Sequence, residues 1–196
     1  MLVAAALPIS GFAGGTSNDY YVGAKLHKNA NMMVKVSMNR GFSEDIKKDP
    51  FGFSVNLGRK AGEFGRIEAE IGYGGGIRVE GPGETDSYGA GSAMFNGYLE
   101  KEIMKGFAPY IGAGIGIGWI STEIDAYGYG FKLSKTQGTL SYQFMLGANI
   151  SVSDSVDLNI GVKYQDYGQL EMQYGPTKIL VDVWATELYT GVAYKF

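Results

Sequence analysis

Eight stretches of this chain alternate apolar residues with polar or small ones at a period of two. The stretches lie at 20–26, 51–58, 66–73, 92–100, 111–119, 140–150, 156–164 and 187–196. A period of two is typical of β-strands whose two faces meet different surroundings, because successive side chains point to opposite sides. The pattern therefore predicts an all-β protein of eight strands.

The connections between these stretches alternate in length. They are short at 61–64, 101–107 and 152–155, and the other connections are long. Short turns at one end and long loops at the other are typical of outer-membrane barrels. We therefore expect an eight-stranded antiparallel up-and-down transmembrane β-barrel.

A soluble barrel would show the same alternation with its apolar face turned inward. The volume of the barrel decides between the two, because eight strands enclose an interior just wide enough for side chains to fill it. The apolar set has too many bulky side chains for that space, whereas the other set is largely Gly, Ser and Asn. In PYIGAGIGIGWIS (109–121) we thus expect the glycines to face a crowded lumen and Ile, Ala and Trp to face lipid.

Composition excludes several classes of protein. The chain has 196 residues, a formal charge of −3 and no basic cluster, which argues against a nucleic-acid partner. It has no cysteine and one histidine, so we predict no disulfide, metal or cofactor site. The apolar start, residues 1–14, resembles the remnant of a signal peptide, which leaves 15–196 as the barrel domain.

Aromatic residues mark the ends of several predicted strands. If the first strand rises from the periplasm, five aromatics form one belt at the outer membrane interface, where such side chains are favoured. They are Phe51, Tyr73, Trp119, Tyr164 and Trp184.

Several charged residues fall at the alternating positions that are expected to face the lumen. They are Lys25, Arg66, Glu68, Glu70, Glu100, Lys163, Glu187 and Lys195. A network of ion pairs that closes the lumen is the favoured interpretation, because unpaired charges there would be costly and little free cross-section remains. A narrow polar pore is the alternative.

Several segments resemble the outer membrane protein β-barrel family, the small barrels of the OmpA/OmpX and opacity-protein type. They are YYVGAKL, PYIGAGIGIG, YQFMLGANISVS, VDLNIGVKY and the terminal ELYTGVAYKF. The resemblance implies the outer membrane of a Gram-negative-type envelope, with outer-membrane lipid and lipopolysaccharide as surroundings. It also implies that Leu188, Val192, Tyr194 and Phe196 form a signal for the outer-membrane assembly machinery.

The long loops are the remaining candidates for function. Exposed methionines and aromatics suit contact with an extracellular ligand, and the candidates are Met32, Met33, Tyr127, Tyr129 and Phe131. Strands that continue above the bilayer with packed side chains are the alternative, with a bulge near 179–184. We predict a structural or surface-interaction role, adhesin-like or antigen-like, with a small porin second.

A lipid-modifying enzyme is a distant third interpretation. It would use His27, expected just past the first strand at the outer rim, with Asp86 and Ser87 from the second long loop. No spacing motif supports this arrangement. A solvated loop histidine is the favoured interpretation, and we predict that the chain is not an enzyme.

Overall fold

The computed structural model describes residues 19–38, 43–81, 84–126, 131–174 and 177–196. Nine strands cover most of this part, and they are β1 (Tyr20–Met38), β2 (Ser43–Lys48), β3 (Phe51–Ala61), β4 (Gly65–Gly81), β5 (Glu84–Glu100), β6 (Phe107–Ala126), β7 (Phe131–Ser151), β8 (Val156–Tyr174) and β9 (Thr177–Lys195). Within the described residues, no helix is long and apolar enough to cross a membrane. The predicted signal-peptide remnant lies outside the described residues.

The strands form a closed barrel. Every pairing is antiparallel, and β9 pairs with β1 to complete the ring. β2 and β3 both pair with β1. β3 pairs with the N-terminal half of β1, and β2 pairs with its C-terminal half. They count as one barrel strand, interrupted at Asp49–Pro50, where proline has no N–H for the ladder. The eight-stranded antiparallel barrel is thus confirmed.

The apolar face points outward through the lower part of the barrel. In β3, Phe53, Val55 and Leu57 are at least 50 % exposed, whereas Ser54 and Asn56 are buried. A ring of exposed apolar side chains around a polar interior is the pattern of a wall in lipid. The assignment of the two faces from the sequence is confirmed.

Most strands are longer than the alternation predicted. β1 continues to Met38 and β9 begins at Thr177, so residues expected in loops belong to strands. These continuations lie at the end with the long connections, which is the outer side of barrels of this type. We call this part, above the membrane wall, the extension.

The barrel wall opens into two sheets in the extension. The β3–β4 ladder ends at the pair Phe53–Tyr73, and the β7–β8 ladder ends at Tyr142–Asp166. Above these points, sheet A contains the upper parts of β4, β5, β6 and β7, and sheet B contains β2 with the upper parts of β1, β9 and β8. An apolar core is formed by Met32, Val34, Ile77, Tyr88, Ala90, Ile120, Tyr167, Leu170, Met172, Val181, Val183 and Ala185.

Three register shifts lie where the polar lumen gives way to this apolar core. They fall at Asn29/Asn31 in β1, Tyr73/Gly75 in β4 and Asp166/Gly168 in β8. An extra residue in one strand reverses which side chains face inward, because the side-chain period is two. The bulge expected at 179–184 in β9 was wrong, since the irregularities lie in its two neighbours and β9 keeps its register there.

Candidate functional site: the lumen and the extension

Glu68 is the centre of a polar network that fills the lumen. Its side chain is 1 % exposed and points inward from β4. Lys25 Nζ lies 2.8 Å from one carboxylate oxygen, and Arg66 Nη1 lies 3.0 Å from the other. The hydroxyls of Tyr21 and Tyr98 donate hydrogen bonds of 2.7 and 2.9 Å to the same carboxylate. Buried charge is tolerated here because it is paired and hydrogen-bonded.

The network continues upward through alternating charges. Lys25 Nζ also lies 2.6 Å from Glu70, and Lys163 Nζ lies 3.8 Å from Glu70 and 3.1 Å from Glu187. His27 Nδ1 is 2.9 Å from Glu187, which also accepts a hydrogen bond of 2.8 Å from Tyr167. Cations and anions therefore alternate along the axis of the barrel.

Two of the charges predicted for the lumen lie nearer its periplasmic end. Glu100 pairs with Arg66 at 3.0 Å and is more accessible than Glu68, with 16 % of its side chain exposed. Lys195 does not join the network and pairs instead with Asp157 at 2.9 Å. The structure therefore brings seven of the eight predicted charges into one connected set.

Tyrosines complete the packing around Arg66, and the sequence interpretation did not single them out. The Arg66 guanidinium carbon lies 3.7 Å from the ring centroid of Tyr98 and 5.4 Å from that of Tyr21. The hydroxyls of Tyr110 and Tyr189 are 2.6 Å apart. These tyrosines share the inward parity of the charged residues, which was the signal that could have identified them.

The glycines of β6 make room for these side chains. A Cβ at Gly112 would overlap the ring of Tyr98, and one at Gly114 would overlap the side-chain oxygen of Asn96. Asn96 in turn accepts a hydrogen bond of 2.7 Å from Gln143. The glycines at these positions thus permit side chains of the neighbouring strands β5 and β7 to fill the lumen over β6.

His27 corrects the prediction of a solvated histidine at the outer rim. It is 2 % exposed in β1, with Nε2 2.8 Å from Ser54 Oγ and Nδ1 beside Glu187. A base, a hydroxyl and a carboxylate do meet, but they are not the predicted Asp86 and Ser87, which lie on β5 in the extension. The space beside His27 and Ser54 is about 10 Å³, room for roughly one water molecule. An acyl substrate does not fit there.

The five predicted belt aromatics lie on strands and are at least partly exposed. Phe51 is 70 % exposed, Tyr73 41 % and Tyr164 37 %, while Trp119 and Trp184 are half-buried. The register places Tyr73, Gly91 and Trp119 side by side, and the Trp119 indole lies over Gly91. On β9, the side chains of Leu188, Val192 and Tyr194 point outward, and the Phe196 ring stacks with Tyr20 at 6.4 Å.

The residues predicted for surface contact have different placements. Met32 is 1 % exposed in the core of the extension, so its assignment as a surface contact is corrected. Met33 points the other way and is half-buried. Tyr127 and Tyr129 lie outside the described residues, and Phe131 begins β7 with its side chain outside them as well. The bulge below Met32 is the reason that it faces inward.

Comparison with known proteins decides the family. The family model of the outer membrane protein β-barrel domain matches residues 1–196, the whole chain. The chain belongs to this outer membrane protein β-barrel family. Its location is the outer membrane of a Gram-negative-type envelope.

One curated protein with detectable similarity is outer membrane protein PagN of Salmonella typhimurium. The two chains are 28 % identical over 83 residues, which are 40 % of this chain and 35 % of PagN. The match therefore spans about a third of that relative.

Solved barrels share the fold with this family member. OprG of Pseudomonas aeruginosa matches with a TM-score of 0.64 and 16 % identity, over 93 % of this chain and 98 % of OprG. Neisserial surface protein A matches at 0.57 and 19 %, over 93 % and 100 %. Ail of Yersinia pestis, solved with the heparin analogue sucrose octasulfate, matches at 0.51 and 11 %, over 89 % and 99 %.

Proposed function

We propose that this barrel is a surface-interaction protein, adhesin-like, whose extension holds an outward surface for an extracellular ligand. The observation that carries the proposal is the extension itself. Its two sheets enclose an apolar core that includes Met32, Val34, Leu170 and Val183, all at most 1 % exposed. A packed core holds the outer surface in one conformation. Little conformational entropy of the protein is therefore lost when a ligand binds.

Similarity to other surface proteins supports the same role. Ail is named an attachment invasion locus protein, and another similar barrel is named Neisserial surface protein A, while PagN is named an outer membrane protein. The Ail structure contains a heparin analogue, so sulfated polysaccharide is one ligand class to test on this chain.

The contents of the lumen weigh against the porin alternative. Glu68, Glu70 and Lys25 occupy the middle of the barrel with paired, buried charges. The apolar core of the extension lies above them. We therefore expect little steady conductance when the folded protein is placed in a planar bilayer, and stable ion-selective channels would favour the porin instead.

Attachment of whole cells tests the proposal directly. Bacteria that display the chain should adhere to cultured epithelial cells or to heparin-coated surfaces. The matched control is a trimmed barrel in which residues 77–88, the upper β4–β5 hairpin, are replaced by a two-residue turn. Heat-dependent gel mobility checks that both proteins are folded. No attachment by cells that display the full chain would refute the adhesin-like proposal, and equal attachment by the two strains would exclude the β4–β5 hairpin as its site.

The location of the chain in the outer membrane indicates two further partners. The outward side chains of β9, among them Leu188, Val192 and Tyr194, are proposed to be read by the outer-membrane assembly machinery. The belt aromatics are proposed to contact outer-membrane lipid and lipopolysaccharide, because their rings favour the interface.

A further inference from the structure

The outer face of sheet A carries three rows of residues directly above the lipid-facing wall. Across β4, β5, β6 and β7, the lowest row is Tyr73, Gly91, Trp119 and Gly138, the second is Gly76, Gly89, Ser121 and Thr136, and the third is Arg78, Ser87, Glu123 and Ser134. Successive rows are about 7 Å apart, because side chains on one face recur at every second residue. Just below Tyr73 the wall is apolar, with Ile71, Ile117 and Leu140 at least 55 % exposed. Large aliphatic side chains therefore end at the lowest of the three rows.

A shallow depression lies on this face of the extension. Its volume is about 370 Å³, and its lining includes Tyr73, Gly89, Ser87, Ser121 and Glu123. Sites for small molecules typically have volumes of about 300–1,000 Å³. The depression is therefore large enough for part of a short oligosaccharide.

An aromatic ring forms the lower border of the depression. Tyr73 is 41 % exposed, and its hydroxyl lies 2.7 Å from the position that a Cβ would take at Gly76 and 3.6 Å from that at Gly89. The ring thus extends over the glycines of the second row, which leave it open from above. Exposed aromatic faces pack against the C–H groups of sugar rings, which form an apolar patch on an otherwise polar molecule.

Hydroxyl groups surround this ring. Ser87 and Ser121 line the depression, and Ser121 Oγ lies 2.9 Å from Thr136 Oγ1 on the next strand. Each hydroxyl both donates and accepts hydrogen bonds, as the hydroxyls of a sugar do. The Glu123 carboxylate adds acceptors, and the Arg78 guanidinium, paired with Glu80 at 3.0 Å, adds donors.

The charges on this face favour a neutral ligand. The described outward side chains of β4, β5 and β6 at and just above the third row include one guanidinium, that of Arg78, and three carboxylates, those of Glu80, Glu123 and Asp125. Sulfated polysaccharides would meet like charge here, and so would the phosphate and carboxylate groups of lipopolysaccharide sugars near the lipid. Like charges across an interface suppress binding. A saccharide without charged groups avoids this repulsion.

We propose that the depression binds a neutral saccharide of an extracellular glycan. One sugar ring packs against Tyr73, and its hydroxyls bond to Ser87, Ser121 and Glu123. The proposal rests on the surface-interaction function and names its site and its class of ligand. Glycine at position 89 is part of the site, because a side chain there would occupy the space of the sugar.

The experiment applies the folded protein in phospholipid nanodiscs to an array of immobilised neutral, sulfated and sialylated oligosaccharides. Neutral oligosaccharides should be bound above the level of empty nanodiscs, and the one bound best is then titrated. Its affinity for Gly89→Val should fall about tenfold or more. A Cβ at Gly89 meets its nearest atom at 3.6 Å, so valine enters the depression without displacing the backbone. Tyr73→Leu should weaken binding similarly, because leucine stays apolar but has no ring face.

The matched control is Gly138→Val. Gly138 is an exposed glycine of the same sheet face, outside the lining of the depression, and a Cβ there meets its nearest atom at 3.7 Å. This variant should keep the wild-type affinity, with folding of both variants checked by gel mobility. Binding of no neutral oligosaccharide, binding of sulfated ones alone, or equal loss in the two glycine variants would overturn the proposal.

Lipopolysaccharide is the other source of sugar at this height. Nanodiscs that contain lipopolysaccharide should bind the neutral oligosaccharide with the same affinity as nanodiscs without it. Loss of binding in the presence of lipopolysaccharide would assign the depression to the surrounding glycolipid and overturn the proposal.

Cell attachment separates this inference from the function on which it rests. Attachment that persists in Gly89→Val cells leaves the adhesin-like role intact and removes the depression as its site. Saccharide binding without attachment by cells that display the unchanged chain keeps the site and removes the adhesin-like role. Loss of attachment in the trimmed barrel and in Gly89→Val, but not in Gly138→Val, supports both.

Discussion

Replacing Glu68 by glutamine should be among the most damaging isosteric changes in this barrel. The carboxylate accepts from six side chains, which are Lys25, Arg66, Tyr21, Tyr98, Asn56 and Asn96. Glutamine keeps the shape but removes the charge, and its amide nitrogen cannot accept a hydrogen bond. The donors that face this nitrogen would lose their acceptor. The buried cations Lys25 and Arg66 would each lose one neighbouring carboxylate.

The magnitude follows from these contacts. Breaking a buried ion pair by removing one partner costs about 3–5 kcal/mol. Lys25 keeps Glu70 and Arg66 keeps Glu100, which limits the loss. Each donor left without an acceptor adds a penalty of about 1–3 kcal/mol. We therefore expect Glu68→Gln to lower the free energy of unfolding by about 3–5 kcal/mol.

Urea unfolding in lipid vesicles measures this loss. Trp119 and Trp184, the two tryptophans of the chain, report unfolding by fluorescence. With a slope of about 1–3 kcal/mol per molar urea, the midpoint should fall by roughly 1–5 M.

Two variants control for charge removal alone. Glu80→Gln breaks an ion pair whose side chains are at least 67 % exposed and should change little. Glu100→Gln, nearer the periplasmic end of the lumen, should lower the free energy of unfolding by an amount between those for Glu68→Gln and Glu80→Gln. A loss below about 1 kcal/mol for Glu68→Gln, or the same loss in all three, would refute a tightly packed, poorly hydrated network.

Three further predictions concern the wall of the barrel. Gly114→Val should cost about 1–3 kcal/mol in the same urea assay, because its side chain would displace Asn96. Gly97→Val should cost little, since a Cβ there has no atom within 4 Å, and equal losses would contradict the packing explanation. Ile115→Arg, on the lipid face, should lower the free energy of unfolding by about 2–4 kcal/mol. Ser134→Arg in the extension should leave it nearly unchanged. Similar losses in the two variants would mean that the position of the membrane on the barrel is wrong. Removal of Phe196 should reduce the folded protein in outer-membrane fractions while total synthesis is unchanged, and normal membrane levels would contradict the proposed assembly signal.

The number of strands and the face that each turns to lipid were predictable from the sequence. A strand has a period of two whatever its partners, so the exposure of Val55 and the burial of Glu68 follow from local parity. The same parity placed Lys25, Arg66 and Glu70 in one lumen. Size then excluded an inward apolar face, because an eight-stranded barrel has little interior volume.

Strand length and the extension depended on tertiary structure. Above the membrane the apolar residues turn inward. The chain from His27 to Met38 therefore does not continue the alternation seen in the membrane part of the strand, and it resembles a loop in the sequence. The bulge at Asn29/Asn31 reverses the parity, and it is defined only by pairing with β9. Met32 was therefore expected at the surface although it lies in a core.

The choice of partners within the lumen was likewise decided by the closed ring. Sequence parity places Ser54 and Glu187 on the inner face, but His27 was expected at the solvated rim, and its contacts with both depend on the pairing of β1 with β3 and with β9. Lys195 has the same parity and meets Asp157 instead. Local periodicity determines the face of each residue, whereas its height and neighbours depend on the register in which all the strands close.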